Sequence, residues 1–428
     1  MELKRVVVTG LGAVTPLGLD VATTWRNALD GVSGAGPITH FDSTLFKTHF
    51  ACEVKGFDPA NFLLVEGDRR ELKDDKRMDL YTRYAIACSK QAIDDSGLLA
   101  YDGTDRDEVG VIFGSGIGGL HTFEEQAGNY AMHEADGPKY SPFFIPTMIA
   151  DIAAGYISIK YGLRGPNYGV VSACATSTTA IIAAFNNVRM GKAVAIVTGG
   201  AEAPIYPAGV GGFNSMHALS TRNDSPETAS RPFSASRDGF VMGEGGVCLI
   251  LEELEHALAR GAKIYAEVIG AGESADAFHL TATHPEGLGA RLVMQRAIAD
   301  AGIKPEDIDY VNAHGTSTPV GDPSEVQAVK DVFGDHAYEL NISSTKSMTG
   351  HMLGATGAME TLFCVKAVQE DVVPPTINHA DDDVDENIDN KLNFTFNKAQ
   401  HRVVRVALSN TFGFGGHNAS IIVKKYTR

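Results

Sequence analysis

Short apolar segments separated by helical patterns run along most of the chain. Residues 5–8, 109–113 and 193–198 are apolar and are bounded by turn residues, a pattern typical of buried strands. Residues 69–97 carry apolar side chains at helical spacing and stop at Gly97, a residue type that commonly follows the last turn of a helix. Strands that alternate with helices predict α/β layers with largely parallel strands.

Glycines mark several of the expected element ends. Gly10 and Gly12 predict a turn directly after the first strand. Residues 169–172 form another expected strand, and a helix is expected to begin near Cys174 and to stop at Gly191. The sequence therefore predicts a sharp strand-to-helix junction at a cysteine.

Two regions depart from this alternation. Residues 120–145 are polar, aromatic and punctuated by glycine and proline, so we expect them to cap the core rather than to build it. Residues 403–408 and 421–423 flank a glycine-rich turn, which predicts an antiparallel pair of strands at the end of the sequence.

The second half of the sequence resembles the first. Residues 91–98 (Gln-Ala-Ile-Asp-Asp-Ser-Gly-Leu) are similar to residues 296–303 (Arg-Ala-Ile-Ala-Asp-Ala-Gly-Ile). Each segment closes a helix and is followed by an acidic loop and a strand, and the two lie about half the chain apart. This indicates an internal duplication, with predicted halves at residues 1–262 and 263–428.

Composition and charge exclude several classes of protein. The 428 residues carry a formal net charge of −17, which disfavours a nucleic-acid partner because polyphosphate needs a basic face. The sequence has no apolar run long enough for a membrane span and no signal-peptide pattern near residue 1. Its five cysteines are scattered without a Cys-x-x-Cys pair, which fits a reducing cytoplasm and argues against a zinc ribbon or a disulfide framework.

The glycine-rich segments do not form a nucleotide site. Residues 114–119 (Gly-Ser-Gly-Ile-Gly-Gly) fit the dinucleotide fingerprint after a strand, but the required second strand with its acidic end is missing. The Gly10-Leu-Gly12 segment lacks the third glycine, and the sequence contains no phosphate-binding loop of the Gly-x-x-x-x-Gly-Lys-Ser/Thr type.

Cys174 carries the sharpest chemical signal. It lies where an apolar strand gives way to a helix, so the free N–H groups of the helix N-terminus are expected to favour a thiolate and could stabilise an oxyanion. The other four cysteines are interpreted as small buried side chains. A buried structural role is the alternative for Cys174 as well.

Three further motifs could complete a site around this cysteine. His314 follows a strand and opens a Gly-Thr-Ser-Thr loop, Lys346 and His351 precede a helix of small residues, and residues 413–416 form a glycine turn. A structural histidine, a loop lysine and a tight hairpin are the alternative interpretations. Zinc binding is disfavoured because sequence-local ligand pairs are missing. The residues alone thus predict acyl transfer by a cysteine nucleophile.

Together these motifs resemble the elongating β-ketoacyl-acyl carrier protein synthases, with synthase II as the most similar group. The resemblance covers nearly the whole sequence and includes Cys174, His314 with its loop, Lys346, His351 and the glycine turn. It implies a thiolase-like fold in which two similar mixed-sheet halves form α-β-α-β-α layers. It also implies a homodimer that needs no cofactor.

The resemblance implies a two-stage mechanism. Cys174 would accept an acyl group from acyl carrier protein, and His314 and His351 would assist decarboxylation of malonyl-acyl carrier protein and stabilise the enolate. The product would be a 3-oxoacyl chain two carbons longer, as in type II fatty acid elongation. A polyketide-type ketosynthase and a non-catalytic chain-length partner subunit are the alternatives, and a thiolase is less favoured.

The resemblance also assigns supporting residues. Lys346 would order the charges of the site as its fourth catalytic residue, and the amides of Cys174 and Phe414 would form the oxyanion hole. The residues expected to contact substrate are Ile117, Phe213, Thr316, Thr318, Phe412 and Phe414. The expected hydrogen-bond network consists of Asp322, Glu325 and Glu360. The residues that could hold a structural monovalent cation are Asn312, Glu360, Ser409 and Asn410.

A basic cluster is the expected docking surface for the acidic carrier protein. Arg69, Lys73, Lys76 and Arg77 fall on one helical segment, where positive charge would steer an acidic partner. The alternative is a solvated helix face balanced by the acidic residues between them. His217 stands where relatives can carry an arginine for carrier contact, so that part of the interface could be weaker or dependent on pH.

Overall fold

The fold is built on a ten-stranded mixed β-sheet with helices packed on its faces. A computed structural model describes residues 3–64 and 67–427. The strands are β1 Val6–Val14, β2 Gly36–Pro37, β3 Phe50–Ala51, β4 Val109–Gly114, β5 Asn167–Val170, β6 Ala195–Glu202, β7 Gly245–Glu253, β8 Ala266–Ala275, β9 Tyr310–Asn312, β10 Asn341–Ser343, β11 Val372–Val373, β12 Gln400–His401, β13 Val406–Gly413 and β14 His417–Lys424. The short strands β2 with β3 and β11 with β12 form two separate pairs.

The helices fill the connections between the strands. They are α1 Val21–Leu29, α2 Arg69–Asp75, α3 Leu80–Ser96, α4 Leu120–Met132, α5 Phe144–Met148, α6 Ile152–Tyr161, α7 Thr176–Arg189, α8 Pro207–Ser215, α9 Leu254–Ala259, α10 Leu288–Ala301, α11 Gly321–Phe333, α12 Lys346–Thr349 and α13 Thr356–Glu370. Within residues 3–64 and 67–427, every helix is too short or too polar to span a bilayer.

The strand order confirms the duplication. It runs β10-β9-β13-β14-β8-β1-β7-β6-β4-β5, and the two halves of this order are related strand by strand. In each half the outer three strands are parallel and the inner pairs are antiparallel. The halves join where β1 pairs antiparallel with β8. The predicted boundary at residues 262 and 263 falls in the loop between α9 and β8 and stays a prediction.

The layers are α-β-α-β-α. Helices α7 and α13 contact each other and both halves of the sheet, so they form the central layer. Helices α3 and α6 cover the outer face of the first half, and α10 and α11 cover the second. Separate apolar clusters fill the central and the two outer interfaces. The turns that precede α7 and α13 contact each other, so the N-termini of the two helices bring residues of both halves together.

The predicted turn at Gly10 and Gly12 is wrong, because β1 continues through both glycines. A Cβ atom on Gly10 would lie 2.2 Å from the Ala92 carbonyl oxygen, and one on Gly12 would lie 1.9 Å from the Cys88 carbonyl oxygen. The glycines therefore allow α3 to pack directly on the strand rather than turning the chain.

The predicted single helix over residues 69–97 is two helices. α2 ends at Asp75, and α3 begins at Leu80 after Asp79, whose carboxylate accepts the Tyr81 N–H as an N-cap. The predicted end at Gly97 is confirmed, with φ of +62°.

Residues 120–145 are expected to cover the core rather than to build it. This expectation is consistent with α4, none of whose residues is buried.

The antiparallel pair at the end of the sequence is confirmed, and it is longer than predicted. β13 and β14 pair from Val406–Lys424 to Gly413–His417. Gly415 and Gly416 both have positive φ in the connecting turn, a conformation that glycine adopts without strain. This turn lies against the start of α7, which positions it beside the predicted nucleophile.

Candidate active site

The predicted nucleophile lies in a strained turn at the start of α7. A short 3-10 turn, Ala173–Ala175, separates β5 from the helix, and Ala173 has φ of +52°. A left-handed conformation in a residue other than glycine costs energy and is often kept at functional sites. Cys174 in this turn is 9% exposed and lines a cavity of about 320 Å³.

The cavity brings together residues from both halves of the fold. Both predicted histidines line it with Cys174, although they follow different strands of the second half. The other predicted site residues on its wall are Phe213, Thr316, Thr318, Asp322, Glu325, Phe412 and Phe414. Residues that are far apart in the sequence therefore share one buried space, as acyl transfer between two substrates requires.

The two histidine rings lie side by side and nearly perpendicular. Their centroids are 5.4 Å apart with an interplanar angle of 87°. Glu325 on α11 accepts the backbone N–H groups of His314 and Gly315, both at 2.8 Å, and so holds the loop after β9. His351 is held by its Nδ1 atom, 3.0 Å from the Thr356 hydroxyl, which leaves Nε2 for a ligand.

Both histidines are neutral at physiological pH. Burial, together with the nearby Lys346 ammonium, holds the pKa of His314 and of His351 well below the ordinary histidine value. His314 Nδ1 is buried and has no hydrogen-bond partner among the described residues. A neutral imidazole offers one N–H donor, which suits an oxygen that becomes negative during a reaction.

Lys346 is paired with Glu360 inside the protein. Its ammonium contacts Glu360 Oε1, and both side chains are almost fully buried. Burial raises the pKa of Glu360 to about 8 against the opposing effect of Lys346. The pair joins α12 to α13, and the lysine charge lowers the pKa of both histidine rings.

The thiol differs from the thiolate expected from the sequence. Burial raises the pKa of Cys174 to about 12, while Lys346 and the N–H groups of Phe414 and of Cys174 itself lower it. The helix N-terminus is present as predicted, but desolvation outweighs it because the cysteine is buried. Two amides are nevertheless directed at the sulfur, which is the arrangement expected of an oxyanion hole.

Aromatic side chains form an apolar part of the cavity wall that packs against the histidines. Phe414 is half-buried, and its ring centroid lies 6.2 Å from that of Phe213, which in turn lies 5.4 Å from Phe240. Phe412 is buried at 5.5 Å from the His314 ring. Phe414 stands in the glycine turn between β13 and β14 and lines the cavity.

The threonine loop forms the polar side of the cavity. Thr316 Oγ1 and Thr318 Oγ1 are 3.1 Å apart, and Thr318 Oγ1 accepts the Gly321 N–H. Asp322 accepts the backbone N–H groups of Phe233 at 3.0 Å and of Thr318 at 3.3 Å. Asp322 therefore acts as a buried support for the loop.

Ile117 does not lie on the cavity wall. Its side chain is 41% exposed, and its backbone N–H donates to Glu202 Oε1 at 3.1 Å. Within a single chain, Ile117 is absent from the cavity lining, so the expectation that it lines or borders the pocket is not met. The turn that carries Ile117 is held instead by the Glu202 carboxylate.

Three of the four predicted cation residues present unpaired oxygens. Asn312 Oδ1, Glu360 Oε2 and Ser409 Oγ are buried and have no hydrogen-bond partner among the described residues. Asn312 and Ser409 face each other in the register of β9 and β13. Asn410 differs, because its Oδ1 accepts the Ser420 hydroxyl at 2.6 Å. Carbonyl, hydroxyl and carboxylate oxygens suit a hard cation.

The predicted docking residues lie outside the cavity. Arg69, Lys73, Lys76 and Arg77 are all exposed, on α2 and the turn that follows it. Arg77 lies 3.5 Å from Asp74 and stacks over the Phe143 ring at 4.7 Å. The surface is thus partly balanced by acidic neighbours, as in the alternative interpretation. His217 is exposed and lines the cavity mouth.

Phe240 and Asp276 are among the cavity residues to which the sequence analysis assigned no role. Phe240 lies 5.3 Å from the His351 ring and packs on it edge to face. Asp276 follows β8 and accepts the Asn418 side-chain N–H at 2.8 Å. An acidic residue directly after a strand could have signalled Asp276, whereas an isolated phenylalanine carries no such signal.

Comparisons with known proteins place the chain among similar sequences over nearly its full length. A family model described as "Beta-ketoacyl synthase, N-terminal domain" matches residues 3–257, and one described as "Beta-ketoacyl synthase, C-terminal domain" matches residues 265–380. Relatives from Coxiella burnetii and Synechocystis sp., both named 3-oxoacyl-(acyl-carrier-protein) synthase 2, are each 48% identical over 426 residues. These alignments cover at least 99% of this chain and 99% of each relative.

Solved structures show the same fold. A β-ketoacyl synthase from Burkholderia phymatum has a TM-score of 0.87 and 34% identity, covering 99% of this chain and all of the other. A ketosynthase in complex with its type II PKS acyl-carrier protein, bound to a hexaketide, has a TM-score of 0.89 and 30% identity over the full length of both chains. On these matches, the chain belongs to the beta-ketoacyl synthase family.

Proposed function

We propose that this protein condenses an acyl-acyl carrier protein with malonyl-acyl carrier protein, with loss of CO2, to give a 3-oxoacyl-acyl carrier protein two carbons longer. The observation that carries the proposal is the shared cavity of Cys174, His314 and His351. The reaction would serve type II fatty acid elongation, and the relatives that are 48% identical over the full chain are named 3-oxoacyl-(acyl-carrier-protein) synthase 2, which is the product class proposed here.

The first stage is transfer of the acyl group to Cys174. The sulfur attacks the thioester carbonyl, a carbon–sulfur bond forms to the cysteine, and the bond to the carrier's pantetheine sulfur breaks. The cysteine proton leaves with the carrier thiol. The N–H groups of Cys174 and Phe414, which already act on the sulfur, stabilise the oxyanion of the tetrahedral intermediate.

The second stage is the condensation. The malonyl carboxylate leaves as CO2, and the electron pair of the broken carbon–carbon bond forms an enolate. N–H donors of His314 and His351 stabilise its oxygen, and they cost little reorganisation because both rings are fixed by burial. The carbanion attacks the acyl-cysteine carbonyl, and Cys174 leaves as a thiolate that takes up a proton.

Incubation of the purified chain with acyl-carrier protein and malonyl-carrier protein tests the proposal. We expect one acyl adduct on Cys174, release of CO2 and a product extended by two carbons. Repeated unreduced extension would instead indicate a polyketide-type ketosynthase, and one structural relative is a ketosynthase of a type II PKS. No adduct and no product would indicate a chain-length partner subunit and would contradict the proposal.

We propose that the acidic carrier protein docks on the basic surface of Arg69, Lys73, Lys76 and Arg77. The double change Lys73→Glu with Lys76→Glu should raise KM for the carrier by about tenfold, because two attractive contacts become repulsive. The value of kcat should stay unchanged, since the cavity is untouched. Steady-state kinetics at several salt concentrations measure both quantities, and added salt should reduce the difference.

Lys192→Glu is the matched control for this surface. Lys192 is exposed just beyond the far end of α7, whereas Cys174 lies at its near end. This single charge reversal, half the change made by the double variant, should leave KM for the carrier within about twofold of the wild-type value, whereas Lys73→Glu alone should raise it by about threefold. Equal effects of Lys73→Glu and Lys192→Glu would show that net charge matters and that docking is not local.

We propose that Asn312, Glu360 and Ser409 hold a structural monovalent cation through their unpaired oxygens. A bound cation would stabilise the folded state, so replacing choline chloride by KCl or NaCl at constant ionic strength should raise Tm by about 2 °C or more. Ser409→Ala should reduce this increase. An identical Tm in all three salts would overturn the site.

We propose a homodimer formed through the edge strand β5. β5 ends the sheet order, and the neighbouring Val171 is 62% exposed and Tyr168 is 41% exposed. An exposed strand edge with apolar side chains favours pairing with a second copy. Sedimentation should give twice the chain mass, and Val171→Glu should shift it towards the single-chain mass. A monomeric wild type would contradict this arrangement.

We also propose that the protein acts in the cytoplasm. All five cysteines are free and buried, as expected of a protein that folds under reducing conditions. Fractionation of the source cells, with detection of the chain in the soluble cytoplasmic fraction, would test this location.

A further inference from the structure

The turn that carries Cys174 occurs twice in the molecule. In the first half, Ala173, with φ of +52°, begins the 3-10 turn that leads into α7. In the second half, Leu353, with φ of +44°, begins a 3-10 turn that leads into α13. Gly354 therefore stands where Cys174 stands in the first half. The second half carries a copy of the nucleophile turn without a nucleophile.

The strand register allows the copies to be compared residue by residue. β1 and β8 each have a bulge, after which Gly10 pairs with Ile250 in β7 and Gly270 pairs with Ile422 in β14. Both glycines also lie where a Cβ atom would meet the outer helix of their half. Ile250 and Ile422 are thus equivalent positions.

The same register identifies the residues that face the two turns. Ile250 pairs with Val197 in β6, and Ile422 pairs with Leu408 in β13. β6 ends at Glu202, five residues after Val197, and β13 ends at Gly413, five residues after Leu408. Glu202 and Gly413 are therefore equivalent.

The two strand ends differ in what they place against the following turn: Gly413 has no side chain, whereas Glu202 has a carboxylate. A Cβ atom on Gly413 would lie 3.0 Å from the Cys174 nitrogen, so the absence of a side chain keeps that amide accessible. In the second half, the Glu202 carboxylate occupies the corresponding place, and its Oε2 accepts the Gly354 N–H at 2.9 Å. An anion is thus built into one copy, whereas the other copy stays free for the anion that forms during acyl transfer.

The Glu202 carboxylate joins the two halves through all of its acceptor sites. Oε2 also accepts the Gly116 N–H at 2.7 Å, and Oε1 accepts the Ser115 hydroxyl at 2.8 Å and the Ile117 N–H at 3.1 Å. Glu202 is fully buried, and burial raises its pKa against these hydrogen bonds. Four donors on one buried carboxylate make a rigid clamp.

The space around the Glu202 carboxylate is too small for a side chain on Gly116 or on Gly354. A Cβ atom on Gly116 would lie 2.8 Å from Glu202 Oε2, and one on Gly354 would lie 2.5 Å from it. The added atom on Gly116 would also be 3.3 Å from the Ala173 carbonyl oxygen. Leu353, next to Gly354, lines the catalytic cavity. The carboxylate therefore lies where the Gly116 turn, the Leu353 turn and the nucleophile turn meet.

We propose that Glu202 is a positioning residue that fills the second half's copy of the oxyanion hole and thereby fixes the Leu353 turn against the nucleophile turn. This inference rests on the proposed condensation activity. It assigns Glu202 to the acylation stage, because the turns that it holds border Cys174, whereas the carrier surface on α2 lies elsewhere.

Glu202→Gln tests the clamp with little change in volume. An amide nitrogen in place of Oε2 would oppose the N–H groups of Gly116 and Gly354, and in place of Oε1 it would oppose the N–H of Ile117. Either orientation turns at least one hydrogen bond into a contact between donors. We expect the first-order rate constant for acyl adduct formation on Cys174, measured in a single turnover at saturating acyl-carrier protein, to fall about tenfold.

Two further measurements separate positioning from loss of fold. A first-order rate constant does not depend on the fraction of folded protein, and KM for the acyl carrier should stay within about twofold because docking is untouched. Ser115→Ala, which removes one donor and keeps the carboxylate, should lower the same rate constant by about threefold.

Glu252→Gln is the matched control. Glu252 is also a fully buried strand carboxylate, held by Thr9, His256 and Arg260 away from the cavity. This change should lower Tm and leave the acylation rate constant within about twofold of wild type.

The outcomes are distinguishable. If the wild type acquires no acyl adduct, the proposed function fails. If the wild type is acylated and Glu202→Gln is acylated at the wild-type rate, the positioning role is overturned. Equal slowing by Glu202→Gln and Glu252→Gln would overturn it too, since any buried carboxylate would then have the same effect.

Discussion

Cys174→Ala should abolish acyl transfer. Among the described residues, Cys174 is the one cysteine that lines the cavity, and its sulfur holds the acyl group between the two stages, so overall turnover should fall by about 10⁴-fold or more. Intact-protein mass spectrometry after incubation with acyl-carrier protein should show the adduct on the wild type and none on the variant. The variant should stay folded, because removing one sulfur from a cavity wall leaves the rest of the core intact.

Cys248→Ala is the control for this change. Cys248 is a buried cysteine of β7 that packs in the outer apolar cluster of the first half. Its loss should leave the acyl adduct in place at full stoichiometry. An adduct that persists in Cys174→Ala would assign the nucleophile to another residue and would contradict the proposed mechanism.

The state of this thiol shows how the site differs from a permanently activated cysteine. With its pKa raised to about 12 by burial, Cys174 is a thiol in the free protein at neutral pH. The local charges therefore do not activate it before substrate arrives. The amides of Cys174 and Phe414 are fixed in place, so their main contribution falls on the oxyanion that forms when the thioester carbonyl is attacked.

Much of the site could be predicted because its residues stand at strand ends. Cys174 follows β5 and His314 follows β9, and parallel strands bring such positions to one edge of a layered fold. The internal repeat indicated that the second half copies the first, and the strand order confirms it. Local sequence thus carried both the topology and the main reacting groups.

What could not be predicted depends on packing between distant segments. The turn expected at Gly10 is a strand because α3 needs the space that a side chain would take. The thiolate expected at Cys174 is a thiol because burial raises the pKa of its sulfur. Glu202 gave no signal, because its four donors come from residues 85 to 152 positions away in the sequence.

His314→Ala and His351→Ala should separate the two stages of the reaction. Each variant should still form the acyl adduct on Cys174, because the histidines are not needed for oxyanion binding there. CO2 release and product formation should fall by about 10²- to 10⁴-fold, since each change removes one donor from the enolate oxygen. Mass spectrometry of the adduct and assay of released CO2 measure the two stages independently.

The same histidines predict an unusual pH dependence. Burial and Lys346 hold the pKa of both rings well below the ordinary value of 6.5, so the neutral form persists as the pH falls through that range. The condensation rate of the acylated enzyme should therefore stay level between pH 7 and pH 6, a range that also lies below the raised pKa of Glu360 of about 8, and only lower pH should protonate the rings. His401→Ala, at an exposed histidine of β12, should behave as wild type. An inflection near pH 6.5 that disappears in His314→Ala or His351→Ala would show that these rings titrate as ordinary histidines, and it would contradict their role as neutral donors.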